Sequence, residues 1–376
     1  MREPESPRTT EVAIVGGGPI GLELAVALQG SGVPSVVLEA GCVGSTIDWW
    51  APGTTFFSSP ERIGIAGVPL ESPDQSKTTR ERYLSYLRGV ARQFVPEIRT
   101  FTRVVDVRRT GNGSDAGFVL DTVRSTHGVG GPAEQARADG GPAVPEPLLG
   151  SWRARRVVLA IGDMHRPRLL NVPGEVLPHV RHYLDDPHRY YGQRVLIVGG
   201  KNSAVEAALR LHRIGCAVTI SYRGDTFDAR RVKYWLRPEL EWLIARGMIE
   251  FLPGTQVERI DLETVTIRST TRGSVNRVEA DAVLLLTGYE QDPFLFEKLG
   301  IDLVGEERAP QHATDTMETN VPGVFVAGTA AAGTQRRARV FIENAHVHVG
   351  RIVKALGGHV PTWAGNGDLY ANLEEA

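Results

Sequence analysis

Two stretches of the chain repeat one pattern: an apolar strand, a glycine-rich turn, a helix and a second strand. The first contains the turn GGGPIG at 16–21, and the second contains GGKNSA at 199–204. The spacing from the first glycine to the end of the second strand is the same in both, Gly16 to Glu39 and Gly199 to Tyr222. Such β-α-β units hold the pyrophosphate of a dinucleotide. The sequence therefore predicts an α/β fold with two Rossmann-like dinucleotide-binding domains.

The first turn has the spacing GxGxxG, with glycines at Gly16, Gly18 and Gly21. These glycines permit, in order, the tight turn, the approach of a pyrophosphate to the backbone, and close packing of helix on strand. The N–H groups at the start of the helix then face the phosphates. Glu39 ends the second strand, where a carboxylate accepts hydrogen bonds from ribose hydroxyls and repels a 2′-phosphate. Glycine turns also occur for steric reasons alone, but the added Glu39 favours an adenine dinucleotide.

The second turn is a looser version of the motif. Gly199 matches the first glycine, whereas Lys201 and Ala204 replace the second and third. No acid ends the strand, and Arg223 stands one position beyond it, where a guanidinium would pair with a 2′-phosphate. A solvated surface arginine is the alternative. NADPH is therefore expected here, and a basic patch would be extended by three neighbours: Arg230, Arg231 and Lys233.

The composition is that of an ordinary globular protein, 41% hydrophobic and 23% charged, with a formal net charge of −2. This balance argues against a nucleic-acid partner, because no excess of basic residues is available to displace counterions. No apolar run approaches the roughly 18 residues of a membrane span, and the N-terminus lacks the apolar core of a signal peptide. The two cysteines form no CxxC motif and no disulfide framework. We expect a cytoplasmic protein without a metal site.

The order of elements indicates that the second nucleotide domain is inserted into the first. The boundaries predicted are 1–185 for the first part of the FAD domain, 186–288 for the NADPH domain and 289–376 for the second part of the FAD domain. A hairpin is expected from 118–123 and 154–159, carrying a Gly/Pro/Ala-rich insertion within 111–150. Helices are further expected over 79–94, 232–246 and from about 338 to 356.

The chain resembles the two-domain flavoprotein reductases of the thioredoxin-reductase type, and within them the bacillithiol disulfide (bacilliredoxin) reductases. The similarity covers nearly the whole chain except 111–150. The segments that carry it are GGGPIG (16–21), TTFFSSPE (54–61), VVLAIGD (157–163), NVPGE (171–175), VGGKNSAVEAALRLH (198–212), SYRG (221–224), LTGY (286–289), METNVPGVFVAG (317–328) and FIENAHVH (341–348).

The resemblance implies that FAD occupies the first site and NADPH the second, with hydride passing from the nicotinamide to the flavin. It places Gly328 and Thr329 at the ribityl and pyrophosphate, and Phe341 and Ile342 near the isoalloxazine. Many flavoprotein reductases have Asp where Thr329 stands. The Thr329 hydroxyl can still form a hydrogen bond with a ribityl oxygen, but it carries no charge. The predicted FAD contacts are Gly16, Gly18, Pro19, Ile20, Gly21, Glu39, Ser45, Val105, Gly162, Gly328, Thr329, Phe341 and Ile342. The predicted NADPH contacts are Gly199, Gly200, Lys201, Asn202, Ser203, Ala204, Arg223, Thr287 and Gly288.

The residue that would act on the acceptor is unknown from the sequence. Thioredoxin reductases relay electrons through a CxxC pair, which is missing here, and many of the resembled reductases carry Cys where this chain has Ile20. Isoleucine cannot form a mixed disulfide, so position 20 either packs behind the flavin or marks a different reaction. Cys216 is expected in the core, and Cys42 is a weak candidate for a redox thiol.

Two further groups have both a structural and a functional interpretation. Glu343, His346 and His348 on the last helix are candidate proton donors or simply packing residues. Four aromatic residues after the first unit are expected to cluster, in the core or along a flavin or substrate cleft: Trp49, Trp50, Phe56 and Phe57.

These observations predict an FAD-dependent NADPH oxidoreductase that reduces a small disulfide such as bacillithiol disulfide, and forms a homo-oligomer. The alternatives are reduction of a protein or one-electron acceptor of the ferredoxin kind, a flavin monooxygenase, and a non-catalytic flavin-based sensor. The monooxygenase is disfavoured because the stretch FxGxxxHxxx(W/F) is not found between the domains.

Overall fold

The computed structural model describes residues 8–111, 116–125, 148–337 and 339–364. The insertion expected within 111–150 falls mostly on 112–115 and 126–147, which lie outside the described residues. The strands are β1 (Arg8–Val15), β2 (Ser35–Leu38), β3 (Ile98–Arg99), β4 (Thr102–Thr110), β5 (Gly117–Arg124), β6 (Leu148–Leu159), β7 (Arg166–Pro167), β8 (Val180–Arg181), β9 (Arg194–Val198), β10 (Ala217–Tyr222), β11 (Glu250–Pro253), β12 (Thr255–Ile260), β13 (Thr264–Ser269), β14 (Val275–Glu279), β15 (Ala282–Leu285), β16 (Tyr289–Glu290), β17 (Leu303–Val304), β18 (Ala309–Pro310) and β19 (Val324–Val326).

The α-helices follow the same order along the chain. They are α1 (Pro19–Gly30), α2 (Ser45–Asp48), α3 (Pro60–Ile63), α4 (Arg80–Phe94), α5 (Asn202–Arg213), α6 (Arg237–Ala245), α7 (Phe294–Leu299) and α8 (Ile342–Ala355). Among the described residues, no helix has both the length and the apolar character that a membrane crossing requires.

The first sheet has the strand order β3-β2-β1-β6-β5-β4, with β19 also paired to β6. Strand β1 runs parallel to β2 and to β6, so that Val15 lies opposite Leu38 on one side and Leu159 on the other. Both β2 and the second half of β1 are buried, as expected for parallel strands covered on both faces. Helices α1 and α8 pack against each other beside this sheet. We call this unit the first lobe.

The second sheet has the order β11-β10-β9-β15-β8, and every pair in it is parallel. Helices α5 and α6 share a core with one side of it, and the antiparallel sheet β12-β13-β14 shares a core with the other. We call this unit the second lobe. It lies in the chain between β6 and β19 of the first sheet, which confirms the predicted fold of two Rossmann-like units, one inserted into the other.

The strand β8 already pairs with β15, so the second sheet includes a strand that precedes residue 186. The boundaries 1–185, 186–288 and 289–376 stay a prediction. The expected hairpin is confirmed, because β5 pairs antiparallel with β6.

Two helices begin later than the sequence predicts. The helix expected over 232–246 begins at Arg237, because the preceding residues form separate turns and Pro238 suits the first turn of a helix. The helix expected from about 338 begins at Ile342. There the Phe341 N–H donates to Asn344 Oδ1 at 2.8 Å, which defines the start of α8.

Candidate functional site

The first glycine turn connects β1 to α1, and two of its glycines are required by the protein's own packing. Gly16 has φ +113°, and a Cβ on it would lie 2.3 Å from the Ala160 carbonyl oxygen. A Cβ on Gly21 would lie 2.1 Å from the Gly16 carbonyl oxygen. These two positions therefore admit only glycine, whatever the ligand.

Gly18 differs from both. Its backbone is extended, with φ −77°, which any residue adopts. A Cβ added there would meet nothing within 4 Å. Folding does not require glycine at this position, so the missing side chain leaves open space directly before Pro19, the first residue of α1. An anion fits this cradle, since the helix start directs N–H groups and a positive dipole end toward it.

Glu39 lies beside this turn and is only 5% exposed. Its Oε2 accepts from the Gly17 N–H at 2.5 Å, and its Oε1 accepts from the Gly41 N–H at 2.7 Å. The Ser45 hydroxyl donates to Oε1 at 3.0 Å. Burial raises the pKa of the Glu39 carboxyl, and these three bonds oppose that rise. A carboxylate accepts about four hydrogen bonds, so capacity remains for a ribose hydroxyl.

Gly17 was missed by the sequence reasoning, although it stands inside the glycine run. A Cβ on it would lie 2.9 Å from the Glu39 Cβ, so its lack of a side chain lets the carboxylate approach. Val105 lies at the bulge in β4, three residues after Thr102, whose N–H donates to the Glu39 carbonyl at 2.8 Å.

A second predicted flavin segment, at Gly328, meets the first turn through Ile20. Ile20 is 6% exposed, and a Cβ on Gly328 would lie 3.4 Å from the Ile20 Cβ. The Gly328 N–H donates to His348 Nδ1 at 3.1 Å. The structure thus brings together Ile20 and Gly328 from opposite ends of the chain.

The last predicted flavin segment is the start of α8, where Phe341 precedes Ile342. Phe341 is 44% exposed. In the next turn, His346 Nδ1 lies 2.7 Å from Glu23 Oε2 on α1, and its Nε2 lies 3.1 Å from the Arg62 carbonyl oxygen. Glu343 pairs with the Arg62 guanidinium at 3.5 Å.

The pKa values of the two histidines of α8 are shifted in opposite directions. Burial disfavours the charged form of His346, but the hydrogen bond and charge of Glu23 outweigh burial and raise its pKa. Burial dominates at His348 and lowers its pKa to about 4, so this imidazole is neutral near pH 7. A neutral imidazole that already accepts the Gly328 N–H is a packing group rather than a proton donor.

The second turn connects β9 to α5 and repeats the geometry of the first. Gly199 has φ +151°, and a Cβ on it would lie 2.6 Å from the Leu286 carbonyl oxygen. A Cβ on Gly200 would lie 2.4 Å from the Tyr222 ring. The aromatic ring therefore covers the turn at the strand end where the first unit has Glu39.

Lys201 precedes α5 and lies in a positively charged environment. Its Nζ donates to the Arg336 carbonyl oxygen at 2.9 Å. Burial lowers the pKa of Lys201, and the charges of Arg231, Arg168 and Arg223 lower it further. We use the name basic cluster for four residues: Lys201, Arg168, Arg223 and Arg231. Arg168, which the sequence reasoning missed, comes from the loop after β7 and also faces Glu290 at 3.5 Å.

The other predicted contacts of the second site surround this turn. Asn202 Oδ1 accepts the Lys233 N–H at 2.9 Å, and Thr287 donates to the Arg168 carbonyl at 2.7 Å. Gly288 has φ +102°. Ser203 is exposed and Ala204 is buried in the first turn of α5.

Arg230 is exposed, and both Arg230 and Arg231 pair with Asp228, at 3.2 and 3.5 Å. The Asp228 carboxylate partly offsets the charge of both side chains. Arg231 nevertheless acts on Lys201, whereas Arg230 is the more exposed of the two and points to solvent.

Neither cysteine is poised as a reactive thiolate. Burial, followed by the charge of Asp48, raises the pKa of the Cys42 thiol to about 11. Cys216 is buried, donates to the Tyr190 carbonyl at 3.0 Å, and has its pKa raised by burial. The predicted core position of Cys216 is confirmed.

The four aromatic residues do not form one cluster, which corrects the sequence expectation. Trp50 and Phe56 pack at 5.1 Å within the first-lobe core, whereas Phe57 contacts Trp235 of the second lobe at 5.8 Å. Trp49 contacts the rings of Tyr183 and Tyr289 at 5.9 and 5.2 Å. The segment 49–57 alternates between both lobes, and sequence proximity alone could not show this.

Comparison with known proteins agrees with this arrangement. The family model described as pyridine nucleotide-disulphide oxidoreductase matches residues 13–127 and 149–328. The chain is 34% identical over 339 residues to bacilliredoxin reductase Bdr of Bacillus subtilis (strain 168). The aligned region covers 90% of this chain and 95% of that protein.

Solved structures agree as well. Bacillithiol disulfide reductase Bdr from Bacillus cereus superposes with a TM-score of 0.82 at 32% identity, covering 93% of this chain and 99% of that one. Thioredoxin reductase from T. acidophilum shares the fold, with a TM-score of 0.65 at 20% identity over 96% of this chain and 99% of that one. The chain therefore belongs to the pyridine nucleotide-disulphide oxidoreductase family, an enzyme family that uses a flavin and a pyridine nucleotide, and groups within it with the bacilliredoxin reductases.

Proposed function

We propose that this oxidoreductase holds FAD at the first glycine turn and NADPH at the second, and reduces a small disulfide of the bacillithiol type. The observation that carries the proposal is the contrast between the two strand ends. A buried carboxylate, Glu39, lies beside the first turn, whereas the basic cluster around Lys201 lies beside the second.

At the first site, Glu39 discriminates at the 2′-position of the adenosine ribose. Glu39 is held in place by two backbone N–H groups and Ser45, so it cannot turn away from a ligand. A 2′-phosphate there would face a buried negative charge. A free ribose hydroxyl would instead donate to it, which supports FAD at this site.

The second site has the opposite preference. Lys201 is destabilised as a cation by burial and by three neighbouring guanidinium groups. A phosphate among these side chains relieves that repulsion and forms charge-assisted hydrogen bonds. NADPH is therefore favoured over NADH.

When bound, the two cofactors supply hydride transfer from nicotinamide to flavin and then two-electron reduction of the acceptor. For a disulfide the overall balance is NADPH, a proton and RSSR giving NADP⁺ and two RSH. This chain's residues would bind and orient the cofactors. The N-termini of α1 and α8 are proposed to face the first site, and Lys201 links the second turn to Arg336 of the first lobe.

No cysteine of this chain is proposed to relay electrons. Position 20 is isoleucine, packed against Gly328, and both thiols have raised pKa values. A thiolate is the nucleophile in disulfide exchange. The acceptor disulfide is therefore proposed to react without a mixed disulfide to the protein. The cytoplasmic location and the homo-oligomer expected from the sequence also remain proposals.

The decisive experiment is anaerobic reduction of the purified protein followed by rapid mixing with acceptors. We expect a flavin absorption band that bleaches faster with NADPH than with NADH and returns with bacillithiol disulfide. A protein that carries no flavin would overturn the cofactor assignment. Reoxidation by ferredoxin but not by bacillithiol disulfide would show that the acceptor is a one-electron carrier and not a disulfide. Rapid oxidation by air with a hydroxylated product would identify a monooxygenase.

A further inference from the structure

A carboxyl group with no assigned role lies inside the predicted flavin site. Asp163 follows Gly162 in the loop after β6. Gln335 donates from its Nε2 to Asp163 Oδ2 at 2.9 Å. Asp163 also forms a side-chain hydrogen bond with Thr329, and burial raises its pKa. Two donors from distant segments thus converge on one partly buried carboxyl.

Gln335 links this carboxyl to the start of α8. Its Nε2 also donates to the Val340 carbonyl at 3.1 Å. Its Oε1 accepts the N–H groups of Arg339 and Val340 at 2.7 and 2.9 Å. These residues immediately precede Phe341, so Asp163 is one side chain away from the helix start predicted to face the isoalloxazine.

Thr329 links the same carboxyl to the ribityl side of the site. It directly follows Gly328, and a Cβ on Gly162 would lie 3.9 Å from its Oγ1. The threonine hydroxyl has no charge of its own. The Asp163 carboxyl, supplied by a different loop, forms a hydrogen bond with the Thr329 side chain.

The imidazole of His165 is close enough to Asp163 to interact with its charge. His165 is 5% exposed, and its Nδ1 accepts the Asp292 N–H at 2.9 Å. Its Nε2 lies 2.8 Å from the Ile161 carbonyl oxygen. Burial lowers its pKa, so His165 is a neutral ring committed to backbone groups.

We propose that Asp163 is a positioning residue for the flavin, supplying from a neighbouring loop the negative charge that Thr329 lacks. Through Thr329 it would orient a hydroxyl toward the ribityl chain, and through Gln335 it would hold the start of α8, which is predicted to lie near the isoalloxazine. This inference rests on the proposed function, because it requires FAD at the first site.

The test separates charge from shape. Asp163→Asn has the same size and can still accept from Gln335 and donate to Thr329, so we expect FAD affinity within about twofold of the wild type. Its flavin midpoint potential should shift to more positive values, because negative charge on the reduced flavin no longer faces a carboxylate. Asp163→Ala loses both bonds and should weaken FAD binding about tenfold.

A rescue variant and a control complete the test. Adding Thr329→Asp to Asp163→Asn should return the potential toward the wild-type value, because the charge is restored at the adjacent position. Asp302→Asn, an exposed position of the first lobe, should leave the potential unchanged. A wild-type protein without flavin would overturn both proposals. Flavin-containing wild type and an unshifted Asp163→Asn potential would overturn only the role of Asp163.

Discussion

Gly18 and Gly21 stand three positions apart in the first turn, and the structure requires glycine at only one of them. A Cβ at Gly21 would overlap the Gly16 carbonyl oxygen at 2.1 Å, whereas a Cβ at Gly18 would meet nothing. The motif GxGxxG predicts both glycines but not this difference, which depends on where the backbone of the turn lies.

These two glycines form a matched pair of variants. Gly21→Ala should destabilise the flavin-free protein by at least about 1–3 kcal/mol, because overpacking shifts the backbone. Gly18→Ala should lower the unfolding temperature of the flavin-free protein much less than Gly21→Ala, because only the mild preference for Gly at the helix N-cap is lost. It should lower the FAD bound per chain, because its methyl group enters the space left for phosphate. Thermal unfolding and flavin absorbance measure the two effects. Full FAD content in Gly18→Ala would contradict the assignment of the first site.

Arg223 offers a second test at the scale of one residue. Replacing it by Ala should raise KM for NADPH about tenfold, the value of one hydrogen bond between charged groups. KM for NADH should stay near its original value, because NADH has no 2′-phosphate. Arg259→Ala is the control, since that arginine pairs with Asp261 elsewhere in the second lobe. Equal changes in KM for both coenzymes would show that Arg223 does not recognise the 2′-phosphate.

At the scale of elements, α1 and α8 are joined by the buried pair of Glu23 and His346. The pair connects the two helices whose N-termini are predicted to face FAD. The sequence did not predict it, because the partners are 323 positions apart. The same contact shows that His346 is held by a buried carboxylate rather than free to donate a proton to the acceptor.

This pair predicts a pH dependence of stability. The pKa of His346 is raised in the folded protein. Its stabilising effect is therefore complete below the unfolded value of about 6.5 and is lost as the pH rises through the folded pKa. Above about pH 6.5, the unfolding temperature of the wild type should fall more steeply with rising pH than that of His346→Gln. Parallel pH profiles for the two proteins would show that the imidazole does not titrate in this range.

At the scale of the whole molecule, the segment 49–57 of the first lobe contacts the second lobe. Arg210 on α5 donates to the Thr54 hydroxyl at 3.0 Å and also to the Pro52 carbonyl oxygen. Phe57 contacts Trp235 nearby, and Lys233 lies over both rings at 5.9 and 5.7 Å. These contacts join α5, the helix that follows the second glycine turn, to the first lobe.

Arg210→Ala should therefore loosen the lobes without changing either glycine turn. We expect faster hydrogen exchange of the amides in 52–57 and slower flavin reduction by NADPH, with unchanged FAD content. Arg213→Ala is the matched control, because Arg213 lies one turn along α5 and pairs with Glu239 inside the second lobe. The same exchange rates in both variants would show that Arg210 does not hold the lobes together.

Local sequence was sufficient for the two β-α-β units and their order, and it singled out Glu39 and Arg223 at the two strand ends as predicted contacts. Glycine spacing and apolar periodicity act over a few residues, so they are visible without a structure. Helix starts were less predictable: α6 and α8 begin four or five residues late, because a proline turn and the Asn344 cap decide them.

Only the tertiary structure placed Asp163 between Thr329 and Gln335, added Arg168 to the basic cluster, and divided the aromatic residues between the lobes. Each of these contacts joins segments far apart in the chain. Which residues meet depends on how sheets and loops pack, and a local sequence pattern carries no information about contacts between distant segments.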